Sequence, residues 1–563
     1  MSANIAAQLR QWAHQTPYSK ALLVPEGRPR LGKVAYTHYT FVQLESRSDA
    51  MAYGLQAWGL QPGDRVLVFL QPGLAFVATL FALFKLGAVP VFIDPGMGVR
   101  SLLHCVKQAA ARGLIGEPKI HLLRRLAPWA FRGVEFCATS RKLVPAWMGG
   151  SMPLAHWIGE DVVSTRCVPF PLAQSTGDAA ILFTSGSTGP AKGVVYTHDI
   201  FTYQVSALQR MFALQPGDVD LAGFPFFSLF SISMGVTSVV ADLNPSFPGR
   251  ADPRKLVEAI EDHGVTFAAG SPAIWSRVAE FCQAQNCTLP TVRCLAMFGA
   301  PVRAHLHEMF ASILSHGTTY TPYGATECLP VSWISGVELR ALAVEEQAAK
   351  SYATCVGSPV LHTQIRIELP ETRDAMPLDG IGEIVVAGPQ VTPRYWRNET
   401  ATSHSKVQYD NRVWHRMGDL GYLDAHGRLW FCGRKAHAVR VESGHILYSI
   451  PCETPFHVHP AIRRTALIPF QPNSSQSVDS QMLLPLQAGL VIERKDRRIK
   501  LEPKEHEIFL QQLHAIAAST ESTRHITQFF LHPDFPVDTR HNIKIDRQAL
   551  GRFFSCHPER TLS

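Results

Sequence analysis

The chain has 563 residues, of which 46% are hydrophobic and 18% charged, a composition typical of a globular protein with roughly two to four domains. Its formal net charge of +7 comes from 53 basic and 46 acidic residues that are spread along the whole chain. Because aromatic residues do not alternate with the basic ones, the composition argues against a nucleic-acid partner and weakly favours an anionic small molecule.

Cysteine usage and hydropathy indicate the compartment. The 11 cysteines form no CxxC pair and no Cys/His ligand spacing, which predicts reduced thiols in a cytoplasmic protein. The N-terminal segment places Ile5, Leu9 and Trp12 on one helical face and lacks the apolar core of a signal peptide. The longest apolar run, residues 74–84, is shorter than the about 20 residues that span a bilayer as a helix. We therefore expect a cytoplasmic protein that is not integral to a membrane.

Helical patterns alternate with short β-branched strands along the first three-quarters of the chain. A predicted strand at residues 65–70 precedes a helix at 75–86, and a helix at 253–263 precedes a strand at 266–269. Strands that alternate with helices are typical of layered structures in which the strands run parallel. The sequence therefore predicts an α/β fold.

The pattern changes in the last third of the chain. From about Gly382 the strands become shorter, and DAHG at residues 424–427 is predicted to form a tight hairpin turn. The end of the chain has the pattern of a small α+β unit, with an amphipathic helix over residues 505–519. We therefore predict a large N-terminal α/β domain over residues 1–433 and a small C-terminal α+β domain over residues 434–563.

The stretch FTSGSTGPAKGVVYTH, residues 183–198, lies between two predicted strands. Its glycines allow successive backbone N–H groups to converge on an anion, its hydroxyl groups add donors, and Lys192 supplies a positive charge. The pattern is not that of the Walker loop, because Lys192 leads into a strand instead of opening a helix. We interpret it as a phosphate-binding loop of another design, with a plain hairpin as the alternative.

Six further motifs follow a fixed order along the chain. They are LFKLGAVPVFIDP (83–95), FGAP (298–301), TPYGATE (321–327), RMGDLGYLD (416–424), GR (433–434) and DTRHNIKIDR (538–547). Together with the glycine-rich loop, this set resembles the adenylate-forming superfamily of acyl-CoA synthetases, nonribosomal adenylation domains and luciferases. The resemblance covers nearly the whole chain and implies a mobile C-terminal lid over residues 434–563, with a hinge near residues 434–436.

The resemblance also implies roles for single residues. Glu327 would bind Mg²⁺, Asp419 would hold both ribose hydroxyls, and Lys544 would reach from the lid to the substrate carboxylate and the α-phosphate. The implied catalytic residues are Lys192, Glu327 and Lys544. The implied ATP- and AMP-binding residues are Thr184, Ser185, Gly186, Ser187, Thr188, Gly189, Lys192, Gly299, Ala300, Pro301, Tyr323, Gly324, Thr326, Asp419 and Arg434.

Adenylation requires these residue types. A carboxylate is a poor electrophile until it carries a leaving group, and it repels the triphosphate until cations neutralise both. Mg²⁺ on Glu327 and the ammonium group of Lys544 would supply this charge, and an ionised Asp419 can accept two hydroxyl donors. Taken singly, each has a simpler reading: Asp419 as a turn cap, Glu327 as a solvated loop acid and Lys544 as a surface lysine.

Three departures from the thioester-forming relatives concern the group that accepts the acyl moiety from the adenylate. Ser228 stands where those relatives place a histidine, the segment 441–453 is shifted by one residue, and HNIK at 541–544 is one residue longer than the usual motif. With the RHNIKIDR tail, the chain is similar to the β-lactone synthetases of bacterial long-chain olefin biosynthesis. This resemblance implies ATP-dependent closure of a long-chain 2-alkyl-3-hydroxyalkanoic acid to a β-lactone without CoA, with enzymes of the same pathway as partners.

Other functions remain open on the sequence alone. A long-chain acyl-CoA synthetase or acyl-AMP ligase shares the nucleotide residues and differs in the acceptor. A non-catalytic nucleotide-binding subunit of the same fold would explain the altered terminal motif, but the retained site residues argue against it. A scaffolding or membrane-surface protein has no supporting feature. Four apolar residues line an acyl pocket or belong to the core: Phe226, Phe227, Phe230 and Met234.

Overall fold

The structure is a computed structural model, and it describes most of the chain. The described residues are 4–29, 32–141, 144–145, 148, 150–159, 168–175, 177–184, 190–349 (343–349 as backbone), 352–369, 380–441, 444–470, 487–537, 545–557 and 560–562. They form two compact units. The first contains residues 1–331, 360–363 and 387–415, and the second contains residues 332–359, 364–386 and 416–563.

The strands of both units, in chain order, are β1 Lys20–Gly27, β2 Ala35–Thr40, β3 Arg65–Phe69, β4 Val89–Ile93, β5 Gly113–Gly116, β6 Phe136–Thr139, β7 Met152–Pro153, β8 Asp178–Thr184, β9 Lys192–Thr197, β10 Val219–Ala222, β11 Thr237–Val240, β12 Phe267–Gly270, β13 Cys294–Met297, β14 Thr318–Ala325, β15 Cys328–Ser335, β16 Thr354–Pro359, β17 Gln364–Glu368, β18 Gly382–Ala387, β19 Lys406–Tyr409, β20 Arg412–Leu423, β21 Leu429–Arg434, β22 Val439–Arg440, β23 Ile446–Leu447, β24 Ile462–Phe470, β25 Gln487–Arg494 and β26 Gln528–Leu531.

The α-helices of the described residues are α1 Ala6–Gln15, α2 Phe41–Ala57, α3 Leu74–Leu86, α4 Val99–Ala109, α5 Pro118–Leu126, α6 Ala155–Ile158, α7 His198–Phe212, α8 Pro225–Ser233, α9 Pro253–His263, α10 Pro272–Gln285, α11 Ala304–Ile313, α12 Gly336–Ala349, α13 Glu399–Ser405, α14 Ser449–Glu453, α15 Pro503–Ala518 and α16 Arg547–Cys556. Short 3₁₀ turns lie at Pro95–Met97, Pro128–Phe131, Pro248–Arg250, Lys435–His437 and Thr454–Val458.

The first unit contains two sheets in which parallel pairing dominates. One has the strand order β7-β6-β5-β3-β4-β8-β9, with β8 and β9 antiparallel. In the other, β14, β13, β12, β10, β11 and β1 are neighbours in that order, and β2 pairs antiparallel with β1 at its edge. Helices α9, α10 and α11 bury Ile260, Trp275 and Phe310 in one core with strand residues such as Leu221. These helices hold the sheet rigid from one side, so loops at the strand ends have a fixed base.

The second unit differs from the first in that most of its strands pair antiparallel. Strand β21 pairs antiparallel with both β16 and β20. Strands β24, β25 and β26 form a separate sheet, and Phe456, Leu513 and Phe529 belong to the apolar core that joins this sheet to helix α15. The antiparallel pairing and tight turns of this unit explain why the sequence pattern changes near Gly382. The expectation of shorter strands is wrong, because β20 has 12 residues and β24 has 9.

The predicted α/β architecture with a small α+β C-terminal part is confirmed. The predicted hairpin turn is present: Asp424 and Gly427 connect β20 to β21, and the Asp424 N–H donates to the Arg428 carbonyl at 3.0 Å. All of residues 434–563 fall in the second unit, which also contains three earlier segments. The domain boundary at residue 433 and the hinge near Arg434 stay predictions.

Candidate active site

Glu327 lies in the short turn between β14 and β15, and its position is fixed by the later segment around Tyr395. The Tyr395 hydroxyl donates to Glu327 Oε1 at 2.8 Å. Thr392 donates to the Glu327 carbonyl twice, from its N–H at 3.0 Å and from its Oγ1 at 2.9 Å. One residue earlier, the Thr326 carbonyl accepts from the Tyr196 hydroxyl at 2.6 Å. The backbone of Glu327 is therefore held from two directions, while the carboxylate is partly exposed.

Lys192 begins β9 opposite Thr184, the last residue of β8. The glycine-rich loop leaves and re-enters the sheet between these two residues. Its central residues 185–189, which include the predicted phosphate ligands Ser185, Gly186, Ser187, Thr188 and Gly189, lie outside the described residues. Lys192 Nζ lies 5.1 Å from the centroid of the Tyr395 ring, a distance at which a cation is attracted to the ring face. Tyr395 therefore contacts Lys192 with its ring and Glu327 with its hydroxyl.

The segment that carries Tyr395 is attached to the edge of β9 by backbone hydrogen bonds. The Val195 N–H donates to the Arg394 carbonyl at 3.2 Å, and the Trp396 N–H donates to the Gly193 carbonyl at 2.7 Å. Burial and the nearby Glu327 carboxylate raise the pKa of Tyr395, which keeps its hydroxyl protonated and able to donate. Sequence reasoning missed Tyr395, because its neighbours in space lie far away in the chain.

The two predicted adenine-binding segments emerge from adjacent strands. Because β13 and β14 are parallel neighbours, their carboxyl ends meet at one edge of the sheet, where residues 299–301 (Gly299, Ala300 and Pro301) follow β13 and Tyr323 and Gly324 end β14. Gly299 has a φ of +88°, which favours glycine. A Cβ atom at Gly324 would lie 2.8 Å from the Cys328 carbonyl oxygen. Both glycines are therefore required by the backbone at this edge.

Asp419 and Arg434 form an ion pair in the second unit. They are direct cross-strand partners on β20 and β21, and Arg434 NH1 lies 3.0 Å from Asp419 Oδ1. Asp419 is 3% exposed, and Arg434 also donates to the Met417 carbonyl at 3.3 Å. The guanidinium group of Arg434 therefore offsets the cost of burying the Asp419 carboxylate.

Lys544 lies outside the described residues, but the chain that follows it is firmly attached. Ile545 forms an antiparallel bridge with Val537, so both ends of the 538–544 segment are held together. Arg547 NH2 donates to both carboxylate oxygens of Glu453 at 2.8 Å, and its Nε donates to Oε1 at 3.1 Å. Glu453 is 5% exposed, so this bidentate pair is desolvated.

Ser228 is a buried residue of helix α8. It is 2% exposed, and its hydroxyl oxygen accepts from Ser238 Oγ at 2.9 Å. Ser238 lies on strand β11, and β10 is the neighbouring strand. On β10, Asp220 is fully buried and accepts from Ser231 Oγ at 2.6 Å. Ser228 therefore belongs to a polar cluster between helix α8 and the sheet. Of the predicted acyl-pocket residues, Phe230 and Met234 are buried, whereas Phe226 and Phe227 are partly exposed.

The hairpin of β19 and β20 adds two ionisable residues that sequence reasoning also missed. Lys406 Nζ donates to Thr392 Oγ1 at 3.1 Å. Burial lowers the pKa of Lys406 from 10.5 to about 8, an effect that Cys328 and Glu327 oppose. His415, its cross-strand partner, is 3% exposed. The pattern KVQYDNRVWH could have predicted this hairpin, because Asp410 and Asn411 suit a tight turn.

A magnesium site is consistent with the donor set. Within the part of the chain that the structure describes, no group of three or more His, Cys, Asp or Glu side chains could hold a metal ion. Mg²⁺ is usually bound by one or two carboxylates together with substrate phosphates, so the partly exposed Glu327 suits an ion that arrives with ATP.

No helix among the described residues has the length and apolar character needed to cross a membrane.

An α/β fold that places a carboxylate, lysines and glycine turns at the ends of its strands is the arrangement of a nucleotide-dependent enzyme. Residues 9–396 match the AMP-binding enzyme family. The chain is 40% identical over 566 residues to an olefin β-lactone synthetase of Xanthomonas campestris pv. campestris, which covers 97% of each chain. It is 38% identical over 576 residues to a protein of the same name from Stenotrophomonas maltophilia. That alignment covers 99% of each chain.

A solved structure of o-succinylbenzoate coenzyme A synthetase from Bacillus subtilis, in complex with ATP and magnesium ion, matches the fold with a TM-score of 0.72 at 20% identity. It covers 96% of this chain and 98% of that one. The chain therefore belongs to the AMP-binding enzyme family. The predicted resemblance to adenylate-forming enzymes and the prediction of an AMP-forming ligase are confirmed, whereas the roles of the single site residues stay predictions.

Asp220 predicts a specific pH dependence of stability. Burial raises its pKa from 3.8 to about 7. An acid with a higher pKa in the folded state loses stability as the pH rises from its unfolded pKa to its folded pKa. The free energy of unfolding of the wild type should therefore decrease as the pH rises from about 4 to about 7. Measured against Asp220→Asn, this decrease should be at most about 4 kcal/mol.

The comparison is made by urea denaturation across this pH range. Glu280→Gln, which removes a negative charge from an exposed position of helix α10, is the matched control and should follow the wild type. Parallel pH curves for the wild type and Asp220→Asn would contradict the prediction.

Proposed function

We propose that the protein uses ATP and Mg²⁺ to adenylate a long-chain 2-alkyl-3-hydroxyalkanoic acid and then closes it to a β-lactone, with release of pyrophosphate and AMP and without CoA. The observation that carries this proposal is the near-full-length similarity to two proteins named olefin β-lactone synthetase. The enzyme would act in the cytoplasm in long-chain olefin biosynthesis, beside the other enzymes of that pathway.

In the first step a substrate carboxylate oxygen attacks the α-phosphorus of ATP, and the bond from that phosphorus to pyrophosphate breaks. Mg²⁺ held by Glu327 would neutralise phosphate charge when bound. Lys192 and the loop from Thr184 would bind the β- and γ-phosphates, and Asp419 would accept hydrogen bonds from the ribose. Lys544 would stabilise the negative charge that builds up as pyrophosphate leaves.

In the second step the substrate's own 3-hydroxyl oxygen bonds to the acyl carbon, the bond from that carbon to AMP breaks, and the hydroxyl proton is released. This attack is intramolecular, so a site that holds the two groups together gains rate without a second substrate. The site must exclude water, because water would hydrolyse the adenylate. The buried position of Ser228, where thioester-forming relatives carry a histidine, supports a reaction with no thiol acceptor.

The ion pair of Glu453 and Arg547 supports a functional role for the preceding segment. An isolated loop that carries Lys544 would lose entropy each time the lysine engaged the substrate. The Val537–Ile545 bridge and the bidentate Arg547–Glu453 contact fix both ends of that segment. We therefore assign Arg547 as a positioning residue for Lys544.

The product distinguishes this proposal from an acyl-CoA synthetase or acyl-AMP ligase. With a long-chain 2-alkyl-3-hydroxy acid, ATP and Mg²⁺, we expect AMP and a β-lactone at the same rate with and without CoA, detected by mass spectrometry. An acid without the 3-hydroxyl should give about one pyrophosphate per enzyme and little turnover, because its adenylate has no internal nucleophile. Rapid CoA-dependent conversion of a plain fatty acid to acyl-CoA would instead establish the acyl-CoA synthetase.

Lys544 and Asp419 should affect different stages of the reaction. Lys544→Ala is expected to lower the rate of pyrophosphate release by about 100-fold or more with nearly unchanged ATP affinity, because the lysine acts mainly in the transition state. Asp419→Asn should weaken ATP binding more than it slows turnover. Lys500→Ala, at an exposed position of the second unit, is the matched control. Normal pyrophosphate release by Lys544→Ala would refute the assignment of Lys544.

Arg547→Met should slow adenylate formation while the equilibrium binding of AMP stays within about twofold of the wild type. The expected cause is a misplaced Lys544, so a second substitution, Lys544→Ala, should add little to the effect of the first. The double-mutant cycle is measured by ATP–pyrophosphate exchange. Fully additive effects of the two substitutions would show that Arg547 does not act through Lys544.

A further inference from the structure

Lys406 differs from the lysines whose role in the fold is structural. Lys85 is fully buried, and its Nζ lies 2.7 Å from both Glu45 Oε2 and Asp49 Oδ1, so its charge is balanced within the fold. Lys406 is partly buried, and its Nζ contacts a neutral hydroxyl, Thr392 Oγ1, at 3.1 Å. Within the described residues it forms no ion pair with a carboxylate, and one of its three N–H donors is accounted for.

The hairpin directs Lys406 toward the predicted phosphate end of the site. Asp410 and Asn411 have φ values of +51° and +58°, as a two-residue hairpin turn requires. This turn sets Lys406 directly opposite His415, so both side chains lie on one face of the hairpin. Thr392, which accepts from Lys406, itself donates to the carbonyl of Glu327, the predicted Mg²⁺ ligand.

His415 shows that two lysines share this region. Burial lowers the pKa of His415 below its ordinary value, and the positive charges of Lys406 and Lys192 lower it further. Both ammonium groups therefore lie within electrostatic range of one buried imidazole. Its Nδ1 lies 3.2 Å from the Ser405 carbonyl oxygen, which can only accept, so Nδ1 carries the proton of a neutral ring. The hairpin thus places Lys406 opposite a neutral histidine.

We propose that Lys406 is a second phosphate-binding lysine, which together with Lys192 binds the β- and γ-phosphates of ATP and the pyrophosphate product. A desolvated ammonium group without a carboxylate partner is stabilised by an anion, and a polyphosphate is the anion that the predicted reaction brings to this place. The inference deepens the proposed adenylation and rests on it, since it assigns a further residue to the same nucleotide site.

The test measures pyrophosphate, ATP and AMP affinity by isothermal titration calorimetry with Mg²⁺ present. Lys406→Met should weaken pyrophosphate and ATP binding about tenfold or more and leave AMP binding unchanged, because AMP lacks the β- and γ-phosphates. Lys406→Arg should retain most of the affinity. Lys119→Met, which removes a positive charge from an exposed position of helix α5 in the same unit, should match the wild type.

A second measurement uses the wild-type protein and needs no variant to fold. Acetic anhydride modifies accessible lysines, and mass spectrometry follows Lys406 and Lys119. Pyrophosphate with Mg²⁺ should slow the modification of Lys406, AMP should not, and Lys119 should react equally under all conditions.

The outcomes separate this inference from the function on which it rests. Unchanged pyrophosphate affinity in Lys406→Met, equal weakening of all three ligands, or no protection by pyrophosphate would overturn the role of Lys406 alone. A wild-type protein that binds neither ATP nor pyrophosphate would overturn the proposed adenylation together with the inference.

Discussion

The attachment of residues 394–396 to strand β9 is the constraint on which the rest of the candidate site depends. Backbone hydrogen bonds to Gly193 and Val195 place Tyr395 where its ring faces Lys192 and its hydroxyl reaches Glu327. The two charges are thereby held by one aromatic side chain instead of forming an ion pair with each other. A lysine and a glutamate that neutralised each other would have less affinity for a phosphate and for a metal ion.

Buried ionisable groups among the described residues are accommodated in different ways. Lys85 and Arg547 are paired with carboxylates inside the protein, and Asp220 has a raised pKa that favours its neutral form. Lys406 has a pKa that burial lowers to about 8, and its ammonium group contacts a hydroxyl group instead of a carboxylate. An ammonium group buried without a carboxylate hydrogen-bond partner lowers stability, and the phosphate ligand that we propose for Lys406 would offset this cost.

Local pattern was enough to predict the α/β architecture and the hairpin at residues 424–427, whereas the roles of the site residues follow from the order of the motifs and stay predictions. Glycine loops, alternating strands and capped turns are local signals, and Lys192 and Glu327 each lie in a recognisable stretch. Tyr395 and Lys406 could not be predicted in this way, because their contacts depend on a segment that returns to β9 after about two hundred residues. Ser228 stood out in the sequence as a substitution, but its hydrogen bond to Ser238 depends on how helix α8 packs against β11.

The course of the chain between the two units has a consequence for synthesis on the ribosome. The first unit takes its last segment from residues 387–415, after the chain has already supplied two segments of the second unit. A nascent chain that ends at residue 331 contains both parallel sheets and Glu327, yet it lacks Thr392, Tyr395 and Lys406. Domains usually fold from the N-terminus as they emerge. Here the first unit can assemble early, but Glu327 acquires its contacts with Thr392 and Tyr395 only after the segment 387–415 has left the ribosome.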